Sequence, residues 1–214
     1  PITKGKEVTV IPFGIDTASF EKVDRGLSRK RFDIEEGATV VAFRSDPGPY
    51  KGTRQAVEAM LSSELANGVV ALTFGKKGNA GPLSPRFRVI DLGWVFEEDM
   101  RAVLGAADIF VMPSLAETFG MMAIEAMASG VPVIAFEGTA LGEIVQDGVT
   151  GRLVKHGDVD GLRQAIEELA ADPSLRKEIG EHARMVARER YDLSRQAEQT
   201  AELYRRVMGE NQCL

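Results

Sequence analysis

Two glutamates flank a predicted strand-to-helix turn, and their spacing limits the chemistry they can share. Glu117 precedes a helix predicted over residues 120–129, and Glu125 lies inside it, eight positions further on. At about 1.5 Å per helical residue the carboxylates are up to roughly 12 Å apart, too far to share a proton. That separation suits two ends of an extended ligand whose hydroxyl groups donate to the carboxylates. Alternatively, Glu117 caps the helix and Glu125 is solvated.

A strand–helix–strand pattern positions these glutamates. Residues 108–112 are rich in strand-forming side chains, Pro113 and Ser114 end that run, and a second apolar run follows Gly130 over residues 131–136. Such an order within about 30 residues is the parallel crossover unit. Ligands of parallel sheets bind beyond the carboxyl ends of the strands, and the free amides at a helix start favour anions. The pattern therefore predicts a site for a phosphorylated ligand.

Two cations could complete this site. Arg44 stands at the end of a predicted buried strand, and Lys51 follows seven residues later at the start of a predicted helix. If they converge, they would neutralise the charge of a phosphorylated ligand such as a diphosphate. Alternatively, both are ordinary surface charges at loop edges.

Residues 113–135 carry a pattern that is specific to one family. They read P-S-x-x-E-x-F-G-x-x-x-x-E-A-M-A-x-G-x-P-V-I-A without a gap. The stretch resembles the retaining glycosyltransferases of family 4, which have GT-B architecture. Shorter matches follow in the family's order, at residues 11–16, 44, 51–52, 93–95, 107–108, 143–145 and 147–154.

The resemblance implies a division of labour between two halves. All matched residues belong to the second, nucleotide-sugar-binding half of such enzymes, and the half that binds the acceptor is missing. The start at Pro1, without an initiator methionine, suggests an excised domain or a proteolytic fragment. We therefore expect the chain alone to bind its donor weakly and to transfer little sugar.

The resemblance also implies roles for individual residues. Glu117 would hold the sugar hydroxyls and, with Arg44 and Lys51, would form the catalytic group. Glu125 would hold the ribose, and Val95 would contact the nucleobase through its main chain. Alternatively, or at the same time, Trp94 in this turn is simply a packing aromatic. The anomeric configuration would be retained by same-face attack without a protein nucleophile. Neither a cofactor nor a metal is expected. The donor-binding residues are accordingly Arg44, Lys51, Val95, Glu117, Thr118, Phe119, Gly120, Met121 and Glu125.

Composition narrows the class of protein. The chain has 214 residues, 44% of them hydrophobic, which is enough for one well-buried core. The net charge of −6 gives no electrostatic footprint for nucleic acid. No apolar run approaches the roughly 20 residues of a membrane span, so membrane contact is expected only through the missing half. The single cysteine, Cys213, cannot form an internal disulfide, which favours a reducing, cytoplasmic location.

The periodicity of apolar residues predicts an α/β fold: a Rossmann-like parallel sheet flanked by helices, forming a single GT-B half with a C-terminal helical tail. Residues 1–172 would form the donor-binding domain and residues 173–214 helices that pack on it. The apolar stripe of the last helix is expected to be core, although it could instead face a partner. Strands are predicted at residues 7–11, 39–44, 69–74, 87–90, 108–112, 131–136 and 152–154, with helices at 51–65, 97–107 and 158–171.

The leading interpretation is the donor-binding domain of a retaining glycosyltransferase that uses a nucleoside diphosphate sugar. A sugar epimerase or phosphorylase of the same fold matches the pattern less well. The alternative from another class is a non-catalytic Rossmann-like module that binds a nucleotide or a partner, with structural carboxylates. The sequence specifies neither the base, the sugar, the acceptor nor the oligomeric state.

Overall fold

A parallel β-sheet lies at the centre of the computed structural model, which describes residues 8–65, 68–83 and 86–210. Its strands are β1 (Thr39–Ser45), β2 (Val69–Gly75), β3 (Arg88–Asp91), β4 (Ile109–Met112), β5 (Val133–Phe136) and β6 (Gly151–Val154). The helices are α1 (Thr17–Glu21), α2 (Arg25–Arg31), α3 (Thr53–Ser62), α4 (Glu97–Ala106), α5 (Met121–Ala128), α6 (Leu141–Ile144), α7 (Val159–Ala171), α8 (Pro173–Tyr191) and α9 (Leu193–Glu210).

The strand order is β3-β2-β1-β4-β5-β6, and each neighbouring pair is parallel. After β1 the chain proceeds to one side of the sheet, and from β4 onward it proceeds to the other. The direction of winding therefore switches between β1 and β4, as in doubly wound nucleotide-binding folds. The predicted Rossmann-like sheet flanked by helices is confirmed.

Apolar side chains alternate between two cores because both faces of the sheet are covered. On one face Val40, Ala42 and Phe110 pack with residues of α4, α5 and α8. On the other face Val41 and Phe43 pack with residues of α3 and α7. Helices thus pack on both faces of the sheet, and the loops at its carboxyl edge start from buried strands.

A buried ion pair fastens the opposite edge of the sheet. The carboxylate of Asp108, just before β4, accepts hydrogen bonds from the Arg29 guanidinium at 2.6 Å and from the Val40 amide at 2.7 Å. Only 5% of the Arg29 side chain and 10% of the Asp108 side chain are exposed. Burial lowers the pKa of Arg29, whereas the charge of Asp108 opposes that shift. This pair ties α2 to two strands.

The start of the chain differs from the prediction. Residues 8–11 form no strand, and Val8 and Val10 are exposed; position 7 lies outside the described residues. The segment instead runs to the junction of α8 and α9, where the Ile15 amide donates to the Tyr191 carbonyl at 2.8 Å. The predicted strand is wrong because its apolar alternation meets no neighbouring strand.

The two tail helices behave differently. In α8 a stripe of apolar residues packs on the domain, since Ile179 and Ala183 are buried and Leu175 and Val186 pack against the cores. In α9 none of the residues whose side chains are described is buried, and large side chains such as Tyr204 stay exposed. The expectation that the stripe of the last helix is core is therefore wrong.

Candidate functional site

A cavity of about 230 Å³ opens at the carboxyl edge of the sheet, beside the switch between β1 and β4. We call it the edge cavity. Crevices at this position are the usual ligand sites of doubly wound sheets. Seven of the predicted site residues line it together: Arg44, Lys51, Glu117, Thr118, Phe119, Gly120 and Met121.

Lys51 reaches the edge cavity because the loop before α3 lies directly against the end of β4. Gly52 has a positive φ of 71°, and a Cβ there would lie 1.8 Å from the Pro113 carbonyl oxygen. The Leu115 amide also donates to the Tyr50 carbonyl at 2.8 Å. Glycine is thus required at position 52 by both backbone conformation and space. Helix α3 starts at Thr53, two residues later than predicted, and ends at Ser62.

The Lys51 ammonium lies 3.0 Å from a carboxylate oxygen of Glu117, so two of the predicted site groups form an ion pair. The side chains are 33% and 12% exposed. The other carboxylate oxygen of Glu117 accepts from the Thr118 amide at 3.1 Å. The Glu117 carboxylate is therefore held near the N-terminal end of α5.

The Arg44 guanidinium also faces a carboxylate. It donates to Asp46 at 3.0 Å, and both side chains are about one third exposed or less. Asp46 was not among the predicted site residues, although the spacing offered a signal. In extended chain, residues two apart project to the same side, so Asp46 follows Arg44 along one face.

The start of α5 presents backbone amides to the edge cavity. Gly120, with φ 102°, stands immediately before the helix, and no side chain caps the first turn. A Cβ at Gly120 would lie 2.6 Å from a methyl group of Leu141, so glycine allows this close approach. Uncapped first-turn amides and the helix dipole both favour an anion at this point.

Glu125 does not line the edge cavity. It lies four residues after Met121, one helical turn deeper on the same side of α5. Burial raises its pKa, and the charge of Glu97, at the start of α4, raises it further. Glu97 was not predicted as a neighbour, because nothing in the sequence brings the start of α4 next to α5.

Val95 also lies outside the lining of the edge cavity. It is half-buried and packs against the core, in the turn that leads from β3 to α4. Trp94 beside it is 68% exposed, so the expectation that it is a packing aromatic is wrong. Glu97, which follows this turn, is near enough to Glu125 for its charge to raise the pKa of that carboxyl.

Within residues 8–65, 68–83 and 86–210, His, Cys, Asp and Glu side chains form no group of three or more that could hold a metal ion. Among the helices that the structure describes, none is both long and apolar enough to cross a bilayer.

A match to a family model shows which protein family the chain belongs to. Residues 38–172, more than half of the sequence, match the family Glycosyl transferases group 1. The protein therefore belongs to the group 1 glycosyltransferases.

Similar curated proteins include the MMP alpha-(1->4)-mannosyltransferase of Mycolicibacterium hassiacum, 28% identical over 95% of this chain and 49% of that protein. The D-inositol 3-phosphate glycosyltransferase of Kribbella flavida is 33% identical over 83% of this chain and 46% of that protein. The chain thus spans about half the length of these relatives.

Solved structures support the same assignment. HepE of Anabaena, determined with UDP and glucose, has a TM-score of 0.80 and 25% identity, over 95% of this chain and 59% of that one. Sucrose-phosphate synthase of Thermosynechococcus elongatus has a TM-score of 0.82 and 28% identity, over 97% and 54%. The fold is that of one half of a GT-B glycosyltransferase.

Proposed function

We propose that this chain binds the nucleoside diphosphate sugar of a retaining glycosyltransferase of family 4. One observation carries the proposal: Arg44, Lys51 and the Glu117–Met121 turn converge on one cavity at the β1–β4 switch. The solved HepE structure, which contains UDP and glucose, supports this class of ligand. The acceptor would be bound by a further domain, in keeping with relatives about twice as long.

The roles follow from the chemistry of each group. Arg44, Lys51 and the first amides of α5 would hold the diphosphate by charge-assisted hydrogen bonds. Glu117 would accept from the sugar hydroxyls, and Glu125 from the ribose. Val95 would meet the base through its main chain. Because the edge cavity is only about 230 Å³, it would contain the diphosphate and sugar rather than the whole donor.

The proposed reaction depends on leaving-group stabilisation. The bond between the anomeric carbon and the diphosphate oxygen breaks, and the acceptor hydroxyl oxygen bonds to that carbon from the same face. The acceptor proton passes to the departing diphosphate oxygen. Fixed cations and amides would stabilise the charge that develops on the diphosphate. Glu117→Ala in the full-length enzyme should abolish transfer while leaving the fold intact, and unchanged turnover would contradict the assignment.

Donor binding is proposed to require no metal. Arg44 and Lys51 would neutralise the negative charge of the diphosphate, which a divalent metal ion neutralises in metal-dependent sites. The test is to titrate UDP and GDP into the chain with excess EDTA and again with magnesium. Equal affinities support the proposal, and binding that appears only with magnesium contradicts it.

Isothermal titration calorimetry with UDP and GDP tests the proposed function itself. The chain should bind at least one of them, and Lys51→Ala and Glu125→Ala should each weaken that binding. A matched control is Lys177→Ala, since Lys177 lies on α8 with a side chain 79% exposed. Absence of any binding would instead favour a module that interacts with a protein partner.

A further inference from the structure

Asp46 contacts Arg44 from outside the edge cavity. Arg44 lines the edge cavity, whereas Asp46 lines a separate groove of about 630 Å³ on the surface beside α3. The two side chains meet at 3.0 Å between these spaces. Asp46 can therefore hold one nitrogen of the guanidinium without occupying the volume that a ligand would fill.

Asp46 is itself held by a closed set of hydrogen bonds. Its amide donates to the Thr53 hydroxyl at 2.7 Å, and that hydroxyl donates to the Arg44 carbonyl at 3.1 Å. Its second carboxylate oxygen accepts from the Gly48 amide at 2.8 Å. Thr53 is only 5% exposed, so the arrangement rests on the start of α3. The loop thus fixes the carboxylate, and the carboxylate fixes Arg44.

Gly48 is adapted to this arrangement. A Cβ at Gly48 would lie 2.9 Å from the carboxylate oxygen of Asp46. Any larger residue would push on the group that holds Arg44. The close approach is therefore part of the same local geometry.

We propose that Asp46 is a positioning residue that orients Arg44 toward the diphosphate. The inference rests on the proposed function of the edge cavity. An unrestrained arginine loses much side-chain entropy when it binds, and a guanidinium already held by one nitrogen loses less. The carboxylate also reduces the positive charge of the site, but the pair is partly exposed, so solvent screens that effect. Orientation accordingly outweighs charge, and loss of Asp46 weakens binding.

Two substitutions separate orientation from charge. Asp46→Asn keeps an oxygen that accepts from Arg44, whereas Asp46→Ala removes both the acceptor and the charge. Calorimetry with UDP and GDP should show roughly tenfold weaker binding for Asp46→Ala and a change within about threefold for Asp46→Asn. Glu58→Ala, on the exposed side of α3, is the matched charge control and should leave affinity unchanged. Tighter binding by both Asp46 variants would overturn the inference, because it would mean that charge dominates.

A double-mutant cycle tests whether Asp46 acts through Arg44. With Arg44→Ala already present, adding Asp46→Ala should change affinity by less than about twofold. An equal tenfold loss in that background would overturn the inference by pointing to a general distortion of the loop. If Arg44→Ala weakens binding but Asp46→Ala does not, only the inference fails. If the wild-type chain binds neither nucleotide, the proposed function fails with it.

Discussion

The Lys51 ammonium and the Glu117 carboxylate lie 3.0 Å apart inside the edge cavity, so each of these charged groups has a partner before a ligand binds. A nucleoside diphosphate sugar would offer a phosphate oxygen to the lysine and hydroxyl groups to the glutamate. The pair therefore keeps both groups in place without leaving an unpaired charge in a partly buried site. On binding of the proposed donor, each group would exchange one partner for another.

This exchange predicts opposite effects for the two members of the pair. Lys51→Ala should weaken binding of UDP or GDP about tenfold or more, because it removes a charge-assisted hydrogen bond. Glu117→Gln should leave binding of the free nucleotide equal or tighter, since Lys51 is no longer shared, but should weaken the preference for the sugar nucleotide over the nucleotide. Calorimetry with UDP and UDP-glucose, or with GDP and GDP-mannose, measures both effects. Weakening of nucleotide and sugar nucleotide alike by Glu117→Gln would contradict this account.

Gly52→Ala should destabilise the fold and abolish nucleotide binding. The new Cβ would lie 1.8 Å from the Pro113 carbonyl oxygen at a φ of 71°. The combined strain and clash should lower the free energy of unfolding by on the order of 3 kcal/mol, which is measured as a lower urea midpoint. Gly157→Ala is the matched control, because Gly157 has a φ of 76° and open space around it. It should cost only about 1 kcal/mol, and equal losses in both variants would show that the contact with Pro113 is unimportant.

Glu125→Gln should stabilise the fold at neutral pH. Burial, reinforced by Glu97, raises the pKa of Glu125 above its ordinary value of 4.5. The folded state then binds a proton more tightly than the unfolded state, so the wild type loses stability relative to the variant as pH rises from 4.5 through the raised pKa.

Urea unfolding at a series of pH values checks this prediction. The variant's advantage should be largest at neutral pH and should shrink as pH falls toward and below 4.5. Glu178→Gln, on the exposed side of α8, controls for the loss of one negative charge. If the variant is more stable than the wild type by the same amount at every pH, the raised pKa of Glu125 is contradicted. The same variant should bind nucleotide more weakly, because Glu125 is the proposed ribose ligand.

Asp108→Asn should destabilise the fold strongly without altering the edge cavity. The substitution leaves Arg29, with 5% of its side chain exposed, without its charged partner. Losing one member of a buried pair costs about 3–5 kcal/mol. Asp160→Asn removes a surface partner of Arg163, and because solvent screens that pair it should change the free energy of unfolding far less than Asp108→Asn does. Similar unfolding free energies for the two variants would contradict the structural role of Asp108.

The sheet and the composition of the edge cavity could be predicted from sequence because both depend on local patterns. Continuous apolar runs such as the one around Val41 identify buried parallel strands, and the ends of such strands meet at one edge. Arg44 and the turn from Glu117 to Met121 each follow such a run. Their convergence therefore follows from the topology of the sheet.

Other features depend on contacts between distant segments. The apolar alternation of residues 8–11 resembles a strand, but only a neighbouring strand could make it one. The stripe of α9 satisfies helical periodicity, yet what covers it cannot be read from its own residues. Glu97 likewise gains its importance from the path of the chain, which brings the start of α4 near enough to raise the pKa of Glu125. Asp46 lies only two positions from Arg44, but the conformation of the loop before α3 decides that its carboxylate is held against the guanidinium.

Amide chemical shifts of the ¹⁵N-labelled chain during titration with UDP and GDP test the central claim most directly, because they report where a nucleoside diphosphate binds. The account predicts that the largest changes occur at Gly120, Met121 and Lys51, and that Lys51→Ala reduces them. Changes centred on the groove beside α3, or no changes with either nucleotide, would contradict it.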